Sequence, residues 1–148
     1  MVEAPLDVLR RIFQAAPFIN SLGIELDAVS DGKCHTRLSL RPEHLQQTGV
    51  VHAGVIATIA DHTAGGAAGS VLGSRSYPLT VEFKVNFLNP ASVDRLVCHA
   101  RVLKAGRTFI VSEAEVFAGK GSEEILIAKA MVTLAVVTGE RNGKSGAA

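Results

Sequence analysis

The chain has 148 residues, 47% hydrophobic and 20% charged, which suits one globular domain with a sizeable core. Its formal net charge is +1, so no basic excess draws it to nucleic acid. Two cysteines, Cys34 and Cys98, have no metal-ligand spacing and form no disulfide framework, so a reducing cytoplasm is expected. Glu3, Asp7, Arg10 and Arg11 crowd the first turns, unlike a secretory signal.

In chain order, Pro5 followed by Leu6, Val8, Leu9, Ile12 and Phe13 predicts a short amphipathic helix, stopped by Pro17. Ile24, Leu26 and Ala28 alternate with Glu25 and Asp27, as in a half-buried strand. Asp31-Gly32 signals a hairpin turn. Cys34, Thr36, Leu38 and Leu40 then alternate with polar residues until Pro42.

A polar segment, His44 to Gly49, leads into Val50-Val51-His52-Ala53-Gly54 and a long run of small residues, predicted helical to about Leu72 and closed by Gly73. Asp61 and His62 interrupt its apolar character, so it is not a membrane span. At about 100° per residue, Gly54, Ala57, Asp61, Gly65 and Ala68 share one stripe. Ile56, Ile59, Ala60, Thr63, Ala67 and Val71 form the bulkier opposite side, suited to the protein's own sheet. The small stripe suits close approach by a second subunit, a thin ligand, or both. Asp61 on that stripe reads either as a catalytic carboxylate with an environment-shifted pKa or as a group solvating an exposed face.

Leu79, Val81, Phe83, Val85 and Phe87 alternate with Thr80, Glu82, Lys84 and Asn86, the clearest period-two run. Strands follow at Leu96 to Val102 and at Phe109 to Val116, with turns at Gly106-Arg107 and Gly119-Lys120-Gly121. Ile125 to Val137 is nearly all apolar and reads as a central strand buried on both faces. Residues 1–138 are expected to form a single domain and 139–148 a disordered tail. Short connections make the strands antiparallel, a hairpin before the long helix and a meander of four strands after it. The result is an α+β architecture, a sheet curled about one long helix plus a short N-terminal helix, with open surfaces that an oligomer would cover.

This order of elements resembles the hotdog fold. Within it, Gly49-Val50-Val51-His52-Ala53-Gly54 followed by Asp61 resembles the phenylacetate-pathway type of acyl-CoA thioesterase. The resemblance spans roughly residues 18–137. It implies a homodimer or a dimer of dimers whose site lies between subunits. Asp61 would be the nucleophile or general base, His52 would orient the site, and the N–H of Ala53, with Gly54, would hold the oxyanion. Thr80 stands where relatives carry a Ser or Thr that helps hold the attacking water. Gln46 stands where many carry Asn, with Gln47 as its substitute. Ala53 replaces the first Gly of the family's His-Gly-Gly step.

For the substrate, Lys104, Arg107 and Arg75 are candidates to meet CoA phosphates, or they are solvated turn charges. His52 reads equally as a structural tie between loop and helix, and Thr80 as an ordinary strand former. His62 points about 100° away from Asp61 and reads as packing. His35, His44 and His99 are scattered without metal spacing, and no metal or cofactor beyond the CoA of the substrate is expected. Thioester hydrolysis suits this set, because a helix N-terminus offers unpaired N–H groups and CoA thiolate leaves readily. A hydratase or dehydratase of the same fold, or an acyl-CoA-binding module without turnover, are the alternatives.

Overall fold

A computed structural model describes residues 5–139. All but the first residue of the expected tail lies outside the described residues. Helix α1 spans Pro5–Gln14 and buries Leu9 and Phe13, one turn apart, while Leu6 stays exposed. Pro17 does not end the helical region as expected. It opens a second short helix, α2 (Pro17–Leu22), because a first-turn residue needs no N–H partner. Gly23, at φ 83°, closes α2 in the left-handed conformation and donates its N–H to Ile19 and Asn20 carbonyls.

Six antiparallel strands follow: β1 (Glu25–Ser30), β2 (Lys33–Ser39), β3 (Ser76–Phe87), β4 (Arg95–Ala105), β5 (Phe109–Lys120) and β6 (Glu123–Thr138). Their order across the sheet is β1-β2-β4-β5-β6-β3, so β1 and β3 are the edges, and the expected four-strand meander is broken: only β4, β5 and β6 run as one, while β3 crosses over to pair with β6 and β4 lies beside β2. Asp31 and Gly32 both take positive φ, 48° and 79°, which makes the tight turn between β1 and β2. A register shift between Leu26 and Ala28 changes the phase of β1, so Val29 is buried and Ala28 is exposed, contrary to simple alternation.

The sheet curls around α3 (Ala53–Gly69), as expected. Ile56, Ile59, Ala60, Thr63 and Ala67 are buried against it, as is Ala68 from the opposite stripe. The helix ends at Gly69 rather than Leu72, and the next residues form tight turns, with Val71 N–H bonded to Ala68 O and Leu72 N–H to Gly69 O. Val71 is consequently exposed. Two glycines of α3 receive α1. A Cβ on Gly66 would lie 2.7 Å from Cys34 Sγ and 3.1 Å from the Phe13 ring, and one on Gly69 would lie 2.9 Å from Leu9 Cδ1.

β6 is interior in the sheet but is not buried on both faces. Ala128, Ala130, Val132 and Leu134 face the helix, while Met131 lies open on the other side. That outer side carries ion pairs, including Arg101 with Glu113 and Lys129 with Glu113 and Glu115. The greater departure is in β3. Its register against β6 shifts between Thr80 and Glu82, so Val81 is a bulge. Thr80 opposes Leu134, and Phe83 opposes Val132. Thr80 therefore shares the helix side with Phe83, Val85 and Phe87, where unbroken alternation would have put it on the opposite face.

Candidate active site

Asp61 lies in the third turn of α3, half-buried. Thr80 Oγ1 donates a 2.8 Å hydrogen bond to Asp61 Oδ1. The bulge at Val81 is what allows this, because it turns Thr80 toward the helix. Burial pushes the Asp61 carboxyl above its ordinary pKa, and the Thr80 hydrogen bond partly offsets that rise. This is a carboxylate held in a cleft, not a group solvating an open helix face.

The cleft has a volume of about 600 Å³. Asp61, His62 and Gly65 of α3 form one side, Tyr77 to Thr80 of β3 another, and Ile12, Phe13 and Ala16 a third. His62 packs its ring on Phe13 with centroids 3.9 Å apart, and its Nε2 lies 3.3 Å from the Phe13 carbonyl oxygen. Burial lowers the His62 pKa, disfavouring the charged imidazolium, and the Phe13 carbonyl partly offsets that fall.

The mouth of α3 is built separately. His52 is its N-cap, and His52 Nδ1 accepts the Gly54 N–H at 2.8 Å. A Cβ on Gly54 would come to 3.0 Å from that nitrogen, so a larger residue there would press on the capping imidazole. Ala53 is exposed, and its N–H finds no acceptor among the described residues. Of the two expected oxyanion donors, Gly54 is thus already engaged and Ala53 is free. Gln46 sits in the loop before the helix, where its Nε2 donates to Thr48 Oγ1 at 2.7 Å. The same loop is closed by Gln46 N–H to Val50 O and Gly49 N–H to Gln46 O. Gly49, at φ 83°, makes that turn, and Gln47 is exposed beside it.

Within one chain these two groups do not meet. Ala53 and Asp61 are eight residues apart on one straight helix, about 12 Å along its axis. The structure brings Asp61 and Thr80 together, and separately His52, Ala53 and Gly54. Arg75, Lys104 and Arg107 gather at one end of the sheet: Arg75 precedes β3, Lys104 nears the end of β4, and Arg107 lies in the turn before β5. All three are exposed, and none has an ion-pair partner among the described residues.

Two contributors escaped the sequence reading. His44 is fully buried, its Nδ1 accepts the Arg41 N–H at 3.0 Å, and its carbonyl accepts the His52 N–H at 2.9 Å. It anchors the loop that presents the helix mouth. No pattern in the sequence separates it from the chain's other histidines. The α1 residues were read as the apolar face of a short amphipathic helix, and their spacing alone did not say which of them would stand beside Asp61. No group of three or more His, Cys, Asp or Glu side chains among the described residues is arranged to hold a metal ion. No helix among them is long and apolar enough to cross a membrane.

Residues 48–125 match the model of the thioesterase superfamily. A thioesterase family protein from Silicibacter pomeroyi is 36% identical, with a TM-score of 0.89 over 92% of this chain and 100% of that one. Human acyl-coenzyme A thioesterase 13 is 26% identical over 118 residues, 78% of this chain and 83% of that protein. A hypothetical thioesterase from Streptococcus pneumoniae, solved with coenzyme A, shares the fold at a TM-score of 0.71 and 21% identity, covering 80% of this chain and 88% of that one. The long helix wrapped by an antiparallel sheet, and the matches across it, place this chain in the thioesterase superfamily, as a hotdog-fold enzyme that hydrolyses thioesters.

Proposed function

We propose that this protein hydrolyses acyl-CoA to a free carboxylate and CoA in a site shared by two copies of the chain. The observation that carries this reading is the separation of its two halves. Asp61 with Thr80 lies about 12 Å along α3 from the free Ala53 N–H, so one helix cannot offer both to one carbonyl. A partner's helix mouth completes the site. The open edge at β3 supports such a partner: Val81, Phe83 and Phe87 are each about half exposed on a twelve-residue edge strand. The unit that carries the site is residues 1–138 as one domain, a dimer or a dimer of dimers. Two buried unpaired thiols suit the cytoplasm.

In the reaction, Asp61 acts as general base. Its raised pKa makes it a better proton acceptor than an exposed carboxylate. The Thr80 hydroxyl hydrogen is committed to Asp61, so the Thr80 oxygen accepts a hydrogen bond from water and helps aim it. The water oxygen bonds to the thioester carbon as its proton passes to Asp61. The carbonyl oxygen becomes an oxyanion and receives the Ala53 N–H at the positive end of the helix dipole. The C–S bond then breaks, the sulfur leaves as CoA thiolate, and Asp61 returns its proton to thiolate or solvent. His52 holds Gly54 and so fixes the direction of the neighbouring Ala53 N–H. Gln46 or Gln47, at the same mouth, contacts the substrate near its carbonyl. Arg75, Lys104 and Arg107 meet the CoA phosphates. No metal or further cofactor takes part in these steps.

The Gly49 to Gly54 step with Asp61 supports the phenylacetate-pathway type within the superfamily. Two coenzyme A-linked relatives support CoA as the carrier. The test is thiol release from acyl-CoAs by wild type and Asp61→Asn. A loss of about 10²–10⁴ in kcat is expected for a general base. Equal rates in the two proteins would refute the assignment of Asp61, and no release from any acyl-CoA by wild type would refute the substrate.

A further inference from the structure

We infer that the cleft between α1 and β3 holds the acyl chain, that the group it takes is an uncharged hydrocarbon, and that Ile12 and Ala16 set its length. This rests on the proposed acyl-CoA hydrolysis at Asp61. The carbonyl must lie beside Asp61, so whichever arm of the thioester points toward α1 enters the cleft described above. Its wall on that side is apolar: Ile12, Phe13 and Ala16 face Pro78 and Leu134, with Tyr77 beside them. None of the lining residues is Lys or Arg. An acyl group ending in a carboxylate would meet Asp61 with no opposite charge to offset the repulsion, and desolvating it there would be unfavourable. A volume of about 600 Å³ falls within the range of small-molecule sites.

The wall is fixed rather than adaptable. Phe13 and Leu9 are buried knobs whose holes exist because positions 66 and 69 are glycine. They seat α1 on α3 and do not vary the depth of the cleft. Ile12 and Ala16 also line it and both remain half-exposed, Ala16 with part of its side chain packed on the core. Both stand free to touch a ligand. Ala16 is the smallest side chain on this wall, and enlarging it removes space directly.

The experiment is a chain-length profile: kcat/KM for straight-chain acyl-CoAs of increasing length, measured with wild type, Ala16→Leu and Ile12→Ala. The readout is the ratio of the value for a long chain to that for a short one. Ala16→Leu should lower this ratio about tenfold or more, and Ile12→Ala should raise it, since one methylene of fit changes kcat/KM by roughly 10-fold or more. Ratios unchanged in both variants would overturn the inference while leaving hydrolysis at Asp61 intact. A measurement on wild type alone gives a second check. Succinyl-CoA should be turned over at least about tenfold less efficiently than butyryl-CoA, and the reverse order would overturn the uncharged-acyl assignment. A wild type that releases CoA from none of these substrates would refute the underlying function instead.

Discussion

The two stations on α3 differ in how completely their polar groups are satisfied. At the mouth, His52 occupies the Gly54 N–H, the loop behind it is tied by His44, and one exposed amide, that of Ala53, is left over. In the third turn, Asp61 is drawn into a cleft, held by one hydroxyl, and pushed toward its neutral form by burial. The first is a spare donor in front of solvent, and the second is a partly desolvated acceptor within a cleft. The contrast teaches that, in the proposed function, each station supplies only half of a reaction centre. Because about 12 Å of helix separates the two, the proposed reaction needs a partner chain to bring a second mouth to Asp61.

The sharpest way to break this comparison is to disable the stations in separate chains. Asp61→Asn and His52→Ala homodimers should each be nearly inactive, the first by about 10²–10⁴-fold and the second by about 10²-fold through misdirection of the donor. After mixing and subunit exchange, half the dimers are mixed, and each holds one site in which both stations are intact. Activity should return to about a quarter of wild type. No recovery, once exchange is verified by mass spectrometry, would mean that both stations serve one chain.

A smaller effect is expected at the support of the buried station. Thr80→Val removes the hydrogen bond that lowers the Asp61 pKa. Its kcat should fall about tenfold. The acid limb of kcat against pH should already lie above the ordinary carboxylate range in wild type, because the base works only when ionised and burial raises its pKa. In Thr80→Val that limb should move to still higher pH. A limb that moves down would show that Thr80 favours the neutral acid.

The smallest effect concerns stability. A carboxyl whose pKa is raised on folding binds more protons in the native state than in the unfolded state, so stability falls as pH rises from its unfolded pKa through the raised folded value. Asp61→Asn should therefore melt at the same temperature as wild type or slightly higher at neutral pH, with any advantage vanishing in acid. A clearly lower melting temperature for Asp61→Asn at neutral pH would show that the ionised Asp61 stabilises the fold, and the buried station would lose its distinctive character.

Much of this was readable from local pattern. The hairpin at Asp31-Gly32 follows from residue types that tolerate positive φ, and the pairing of β4 with β5 and of β5 with β6 follows from short, turn-rich connections, whereas β2 beside β4 and β6 beside β3 join strands distant in the chain. The His52 to Gly54 step and the stripe carrying Asp61 follow from helical spacing, which is regular and insensitive to context. Those features depend on a few neighbouring residues, so the sequence by itself determined them. The partner of Asp61 was different. Period-two alternation put Thr80 on the opposite face from Phe83, and only the bulge at Val81, which depends on how β3 registers against β6, reversed it. Pro17 read as a stop because the chemistry that ends one helix also begins another, and the packing of Ile19 in the core decided for α2. The wall of the cleft was beyond local reading for the same reason. Leu9 and Phe13 find Gly69 and Gly66 across more than fifty residues of chain, and such long-range fits belong to the tertiary structure, where contact between distant segments decides which surfaces face the site.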